Sequence, residues 1–128
     1  NRVEFVGSKS QEQLQEYYKK SYCLIVPSRA PETFNLVGIE ALKVGLPVIA
    51  TDVGGISSWL RDDVTGLLVK PNDIKDLASK INNIITDKTL HKRLTYGVYI
   101  ASIYEHDSRA HANALIETFK NCIGAWHV

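Results

Sequence analysis

The sequence predicts an α/β fold in which a parallel sheet carries helices on both faces and a group of helices follows at the C-terminal end. Strand-like and helix-like segments alternate through the first 70 residues, and such alternation is typical of a parallel sheet with right-handed crossovers. The segments at 22–27 and 47–51 are apolar without alternation, as expected of strands buried on both faces.

The predicted elements follow from periodicity and from end signals. Ser10 with Gln13 forms a capping box at the start of the first helix. Gly45 ends the second helix, and Asp73 begins a helix with a clear apolar stripe. In order, the predicted elements are a strand at 3–6, a helix from 10 to about 20, strands at 22–27 and 47–51 separated by a helix at 33–44, one or two helical turns at 56–60, a strand at 65–69, and helices at 73–86, 89–104 and from Asp107 or Ser108 to about Cys122.

Length and composition indicate one domain. The chain has 128 residues, of which 45% are hydrophobic and 23% charged, with a formal charge of +1. We therefore expect a single domain over 1–128, with strand–helix units at 1–70 and a helical tail at 73–123. No basic run predicts a nucleic-acid surface, and no apolar run approaches the roughly 20 residues of a membrane span. There is no signal peptide and no Met, so we expect a processed or excised piece of a longer protein.

Cysteine usage indicates the compartment. Cys23 and Cys122 lie in apolar or amphipathic surroundings, and two buried free thiols in a reducing cytosol are favoured over a disulfide. No Cys/His spacing typical of a metal site is present.

Two carboxylates are the candidate functional groups. Glu32 follows a strand end and precedes a helix, where it is suited either to cap that helix or to contact a ligand. Glu40 lies eight positions later, inside the helix. It is either a solvated outer-face side chain or, if its face turns inward, an acceptor for sugar or ribose hydroxyls.

Other common site motifs are missing from the sequence. Gly54 and Gly55 alone are weak evidence, because glycine is usual in turns. There is no GxGxxG after a strand, no GxxxxGK[ST] loop and no GxSxG elbow.

The segment PSRAPETFNLVGIEALKVGLPVIATDVGGISS, followed by TGLLVKPND, resembles the pattern PSxxEGFGLxxxEAxAxGxPVIAxxxGGxxE…GxLVxPxD. This is the pattern of the large retaining family of GT-B glycosyltransferases (glycosyl transferases group 1, family 4 type). The likeness runs from Val3 to about Phe119 and covers part of the C-terminal, donor-binding domain. It implies a Rossmann-like sheet that lacks its first strands.

The resemblance also implies a function. Sugar would be transferred from a nucleotide-sugar donor to a saccharide or lipid-linked acceptor, with retention of the anomeric configuration. Glu32 would be the catalytic residue, holding donor-sugar hydroxyls near the reacting carbon. Glu40 would accept the ribose hydroxyls. The donor would also be contacted by backbone N–H groups in the intervening segment Thr33, Phe34, Asn35 and Leu36. The resemblance implies no cofactor and no metal.

Three positions depart from the family pattern. Thr33 and Asn35 replace the glycines that flank Phe34, and Ser58 stands where the family often has glutamate. Asparagine tolerates positive φ better than most residues, which softens the change at 35.

The resemblance places the acceptor site and the phosphate-clamping Arg and Lys before residue 1. The chain alone is then expected to be inactive. In the family's strand order, two further strands lie between the strand at 3–6 and the strand at 22–27. We expect a groove or unpaired edges there, or self-association that fills them. The full-length protein is expected to be cytoplasmic, with peripheral membrane attachment as the alternative.

Two other functions stay open: a GT-B relative that epimerises or hydrolyses a nucleotide sugar, and a non-catalytic α/β binding module such as a receiver domain. A receiver domain would need an acidic cluster after the first strand, and Gly7-Ser8-Lys9 offers none.

Overall fold

The structure, a computed structural model, describes residues 3–104, 112–113 and 115–120. Its elements are α1 (Gln11–Lys20), β1 (Leu24–Val26), α2 (Leu36–Lys43), β2 (Val48–Thr51), a 3₁₀ turn (Ile56–Ser58), β3 (Gly66–Val69), α3 (Ile74–Thr86) and α4 (Lys88–Tyr104). Residues 112–113 and 115–120 are helical. Both predicted ends of the final helix lie outside the described residues.

The three strands form one parallel sheet in the order β1-β2-β3. Ile25 is level with Ile49, and Ile49 with Leu67. The prediction of a parallel α/β sheet is confirmed.

The sheet is covered on both faces. Successive side chains of β2 point to opposite sides of the sheet, and each set packs in its own core cluster. Val48 and Ala50 pack in one core cluster, which also contains side chains from α1 and α2. Ile49 packs in a second cluster with Ile84 of α3 and Leu94 of α4. Val48, Ile49 and Ala50 are fully buried, which explains why these three positions of β2 are apolar. The last residue, Thr51, is polar and 7% exposed.

The helix ends that the sequence predicted are confirmed where they are described. Ser10 and Gln13 form both hydrogen bonds of the capping box on α1. Asp73 caps α3 by accepting a hydrogen bond from the backbone N–H of Asp76. Gly45 follows α2 with φ +83°, a left-handed conformation that glycine adopts without steric cost.

The predicted strand at residues 3–6 is wrong, since this segment belongs to no strand. Val3 and Phe5 are 71% and 96% exposed. A strand requires a hydrogen-bonded neighbour, and the sheet of the described residues offers this segment none. As expected, the segment does not pair with β1.

The two edges of the sheet differ. On β3, the carboxylate of Asp62 accepts a hydrogen bond from the backbone N–H of Leu68, and the ammonium group of Lys80 donates to the Leu68 carbonyl. Side chains therefore occupy this edge, as is common for protected edge strands. No strand within the described ranges pairs with the outer edge of β1, and Ile25 there is 38% exposed. The predicted unpaired edge is present at β1.

Cys23 is a half-buried free thiol, and burial raises its pKa. Cys122 lies outside the described residues. Among the helices that the structure describes, none is long and apolar enough to cross a bilayer.

Candidate functional site

The loop between β1 and α2, residues 27–35, carries the first predicted site residue at the carboxyl edge of the sheet. Glu32 is half-buried there. Its Oε1 atom accepts a hydrogen bond of 2.7 Å from the hydroxyl of Ser28, just after β1. One carboxylate oxygen is therefore held by the strand end, which limits the orientations of the side chain.

The helix after this loop begins later than predicted, and Glu32 does not cap it. The expected start near residue 33 is wrong, because Asn35 is the N-cap and Leu36 the first helical residue. Asn35 has φ +55°, and its Oδ1 atom accepts a 2.9 Å hydrogen bond from the backbone N–H of Gly38. The asparagine thus supplies both the left-handed conformation and a side-chain cap. The interpretation of Glu32 as the cap of α2 is therefore excluded.

The glycine pair after β2 forms the floor under this loop. The backbone N–H of Gly55 donates a 2.7 Å hydrogen bond to the carbonyl of Glu32. A Cβ atom at Gly54 would lie 2.2 Å from that same carbonyl oxygen, and one at Gly55 would lie 2.2 Å from the carbonyl oxygen of Thr33. Only residues without a side chain permit this backbone-to-backbone approach. The sequence indicated a turn at these glycines, but it did not show that Gly55 contacts Glu32, which lies 23 positions earlier in the chain.

Apolar side chains surround the start of α2 on its exposed side. Phe34, Leu36 and Val37 are 51%, 66% and 46% exposed, and Thr33 is exposed beside them. Together with Glu32, these residues form a mixed surface of one carboxylate and several apolar groups, such as a bound sugar or a packed neighbouring segment would cover.

Glu40 is half-buried rather than on a solvated outer face. Its helix neighbours Ile39 and Ala41 are buried. The amide of Gln11, at the start of α1, donates to Glu40 Oε1 over 3.5 Å, a long hydrogen bond. Glu40 therefore lies on the side of α2 that faces α1, where its carboxylate is partly covered.

The position of α2 is set by a contact that sequence reasoning did not identify. Gly38 packs against the ring of Trp59, so closely that a Cβ atom at residue 38 would lie 2.2 Å from Cη2 of the indole. Trp59 is 9% exposed and follows the 3₁₀ turn. Its bulk fills the space that a side chain at Gly38 would need. The only sequence signal was the glycine within an otherwise apolar helix.

A cavity of about 360 Å³ opens at the carboxyl ends of the three strands. Ser28, which holds Glu32, and Thr51, the last residue of β2, line it. The cations Arg29 and Lys70 also line it. Polar and cationic groups thus meet at the edge of the sheet where open α/β folds bind ligands.

The structure brings the predicted residues together on one loop–helix unit. Glu32, Thr33, Phe34, Asn35 and Leu36 run consecutively from the strand end into α2, and Glu40 lies one helical turn beyond Leu36. Across residues 3–104, 112–113 and 115–120, no group of three or more His, Cys, Asp or Glu side chains could hold a metal ion.

Comparison with known proteins identifies the family. The family model described as glycosyl transferases group 1 matches residues 1–99. A D-inositol 3-phosphate glycosyltransferase of Nocardia farcinica is 35% identical over 98% of this chain and 28% of its own length. A glycosyltransferase of Methanocaldococcus jannaschii is 37% identical over 73% of this chain and 26% of its own length.

Solved structures agree with the sequence comparisons. The sucrose-phosphate synthase of Thermosynechococcus elongatus superposes with a TM-score of 0.83 at 35% identity, covering 97% of this chain and 31% of that protein. The Anabaena protein HepE, in complex with UDP-glucose, superposes with a TM-score of 0.82 at 26% identity, covering 94% and 33%. The chain thus spans between 26% and 33% of the length of these four relatives. It belongs to the glycosyl transferases group 1 family, with the Rossmann-like α/β fold of GT-B enzymes.

Proposed function

We propose that this chain is the donor-binding part of a retaining glycosyltransferase that transfers a sugar from a nucleotide sugar to a saccharide or lipid-linked acceptor. The observation that carries the proposal is the placement of Glu32 and Glu40 on one loop–helix unit at the carboxyl edge of a parallel sheet. Family membership and the UDP-glucose held by the related HepE protein support a nucleotide sugar as the ligand.

Glu32 is assigned to the donor sugar. The Ser28 hydroxyl donates to Oε1 of Glu32. The other carboxylate oxygen then accepts hydrogen bonds from the sugar hydroxyls. A sugar held in this way presents its reacting carbon in a fixed position, and positioning of this kind accounts for much of enzymatic rate enhancement. The exposed ring of Phe34 supplies an apolar contact beside the hydroxyls.

The backbone at the start of α2 is assigned to the diphosphate. The first N–H groups of a helix have no intrahelical partner and carry partial positive charge, which favours phosphate oxygens. The side chain of Asn35 accepts a hydrogen bond from the backbone N–H of Gly38. The preceding N–H groups of Leu36 and Val37 belong to the first turn of α2 and would stabilise a leaving diphosphate as charge develops on it.

Glu40 is assigned to the ribose hydroxyls. Its carboxylate is half-buried and has one long contact, to Gln11. Sugar hydroxyls are strong donors for such a carboxylate and would compensate for its partial burial.

The acceptor site and the phosphate-clamping cations belong, in this proposal, to sequence that the chain does not contain. The 128-residue chain by itself is then inactive. That no metal takes part, and that the enzyme is cytoplasmic with or without peripheral membrane attachment, stay predictions.

The test is nucleotide-sugar binding and turnover in the full-length protein, with UDP-glucose as the first donor. Glu40→Ala should weaken donor binding about ten- to a hundredfold, the worth of one or two hydrogen bonds to a charged group. Glu32→Gln should lower kcat roughly a hundredfold while binding changes less. Glu16→Gln is the control, because Glu16 is exposed and pairs only with Lys19 among the contacts described.

Product analysis separates this proposal from its alternatives. Proton NMR of the first product should show the anomeric configuration of the donor. Free sugar or an epimerised nucleotide sugar, with no transfer to any acceptor, would favour a hydrolase or epimerase. Unchanged donor affinity in Glu40→Ala would remove Glu40 from the site.

A further inference from the structure

Tyr18 has a buried hydroxyl group that nothing in the assigned site uses. Its side chain is 6% exposed. Among the residues that the structure describes, its hydroxyl oxygen has no hydrogen-bond partner. A buried polar group without a partner costs free energy, and most such groups in folded proteins are satisfied. Within these residues, the hydroxyl of Tyr18 therefore lacks the hydrogen-bond partner that a buried polar group usually has.

Glu40 is the group placed to be that partner. Gln11 and Tyr18 are seven residues apart on α1, so they lie on the same helix face. Gln11 contacts the Glu40 carboxylate. Tyr18 also lines a small cavity together with Val44, one helical turn beyond Glu40 on the same side of α2. Helical side chains lean toward the N-terminus, which carries the Tyr18 hydroxyl back toward Glu40.

The electrostatics agree with this placement. The pKa of Tyr18 is raised above its usual value, first by burial and second by the negative charge of Glu40. A tyrosine is protonated at neutral pH even at its usual pKa, and the raised pKa of Tyr18 keeps it so. The phenol is therefore available to donate a hydrogen bond.

We propose that Tyr18 is a positioning residue whose hydroxyl donates a hydrogen bond to the Glu40 carboxylate when a nucleotide is bound, fixing that carboxylate for the ribose hydroxyls. This inference rests on the assignment of Glu40 in the proposed function. The Glu40 carboxylate has two oxygens, and a donor from α1 on one of them leaves the other directed toward the ribose. The long contact of Gln11 with this carboxylate would be exchanged for the shorter bond from Tyr18.

The experiment is a double-mutant cycle on nucleotide affinity in the full-length protein, measured by isothermal titration calorimetry with UDP, or with GDP if the enzyme prefers it. Tyr18→Phe should weaken binding about tenfold. In the Glu40→Gln background the same change should weaken it less than twofold, because the interaction partner is already altered. Tyr17→Phe is the matched control, because Tyr17 is the preceding residue and is 42% exposed. The nucleotide affinity of this variant should equal that of the unmodified protein.

Two further readouts separate positioning from a merely structural role. Thermal stability of Tyr18→Phe should be unchanged or slightly raised, since the substitution removes a hydroxyl that has no hydrogen-bond partner among the described residues. A 2′,3′-dideoxy nucleotide should bind Tyr18→Phe and the unmodified protein equally, because no ribose hydroxyls remain for Glu40 to accept.

The outcomes distinguish this inference from the function on which it rests. If Glu40→Gln weakens binding but Tyr18→Phe does not, the positioning role fails and the assignment of Glu40 stands. If the two substitutions are additive, Tyr18 acts independently of Glu40 and the inference is again overturned. If the unmodified protein binds neither UDP nor GDP, the proposed function fails and the inference with it.

Discussion

Replacing Asn35 by alanine should destabilise the domain at the point where the donor-binding loop enters α2. Asn35 has φ +55° and accepts a hydrogen bond from the Gly38 N–H. Alanine loses that cap, which typically costs about 1 kcal/mol. It also adopts the left-handed conformation at a cost of about 1–2 kcal/mol, part of which asparagine already bears. We expect a loss of about 2 kcal/mol in the free energy of unfolding.

Two matched substitutions divide this loss into its causes. Asn35→Gly removes the side-chain cap but adopts positive φ freely, so it should cost only a few tenths of a kcal/mol. Asn35→Asp keeps an acceptor oxygen and tolerates the left-handed region, so it should be close to neutral.

Urea denaturation followed by tryptophan fluorescence measures these differences. Trp59 is buried beside α2, and Trp126→Phe in every variant makes it the single reporter. With a typical denaturant slope of about 2 kcal/mol per molar, Asn35→Ala should lower the midpoint by about 1 M. Equal midpoints for Asn35→Ala and Asn35→Gly would refute the argument, because backbone conformation would then contribute nothing.

Two further predictions concern the loop floor and a surface ion pair. Gly55→Ala should cost about 1–3 kcal/mol and weaken donor binding, because its Cβ meets the Thr33 carbonyl oxygen at 2.2 Å. Gly45→Ala has no such contact, so it should lower stability without lowering donor affinity, and an equal affinity loss would contradict the loop-floor role. The Arg93 guanidinium holds the pKa of Asp63 below its usual value through their hydrogen bond. The resulting stabilisation is present above the unfolded pKa of Asp63, near 4, and is lost as pH falls through its lower folded pKa. The difference in free energy of unfolding between the unmodified protein and Arg93→Gln should therefore close in acid. A difference that is unchanged at about pH 2 would refute the argument.

Periodicity and end signals predicted most of the fold. The buried strands, the capping box at Ser10 and the helix start at Asp73 are local features, and a few neighbouring residues determine each of them. The error at residues 3–6 is of another kind. A strand is stable only when another strand pairs with it, and no local pattern shows whether that neighbour is present.

The candidate site divides in the same way. The sequence identified Glu32 and Glu40, but it left each with an alternative role. The cap at Asn35 excludes Glu32 as the cap of α2, and Glu40 lies half-buried on the side of α2 that faces α1. The cap is a local contact within one helix start, whereas the position of Glu40 depends on how α1 lies against α2.

What the sequence by itself determined is the order of elements, the family and the two carboxylates at the strand end, because residue type, spacing and hydrophobic pattern encode these directly. Only the tertiary structure decided that Gly55 supports the loop and that Trp59 fills the space beside Gly38. It also decided that the Tyr18 hydroxyl is buried near Glu40 with no hydrogen-bond partner in the described part of the chain. These are contacts between residues distant in the chain. Close packing and the burial of polar groups become defined only when the segments meet.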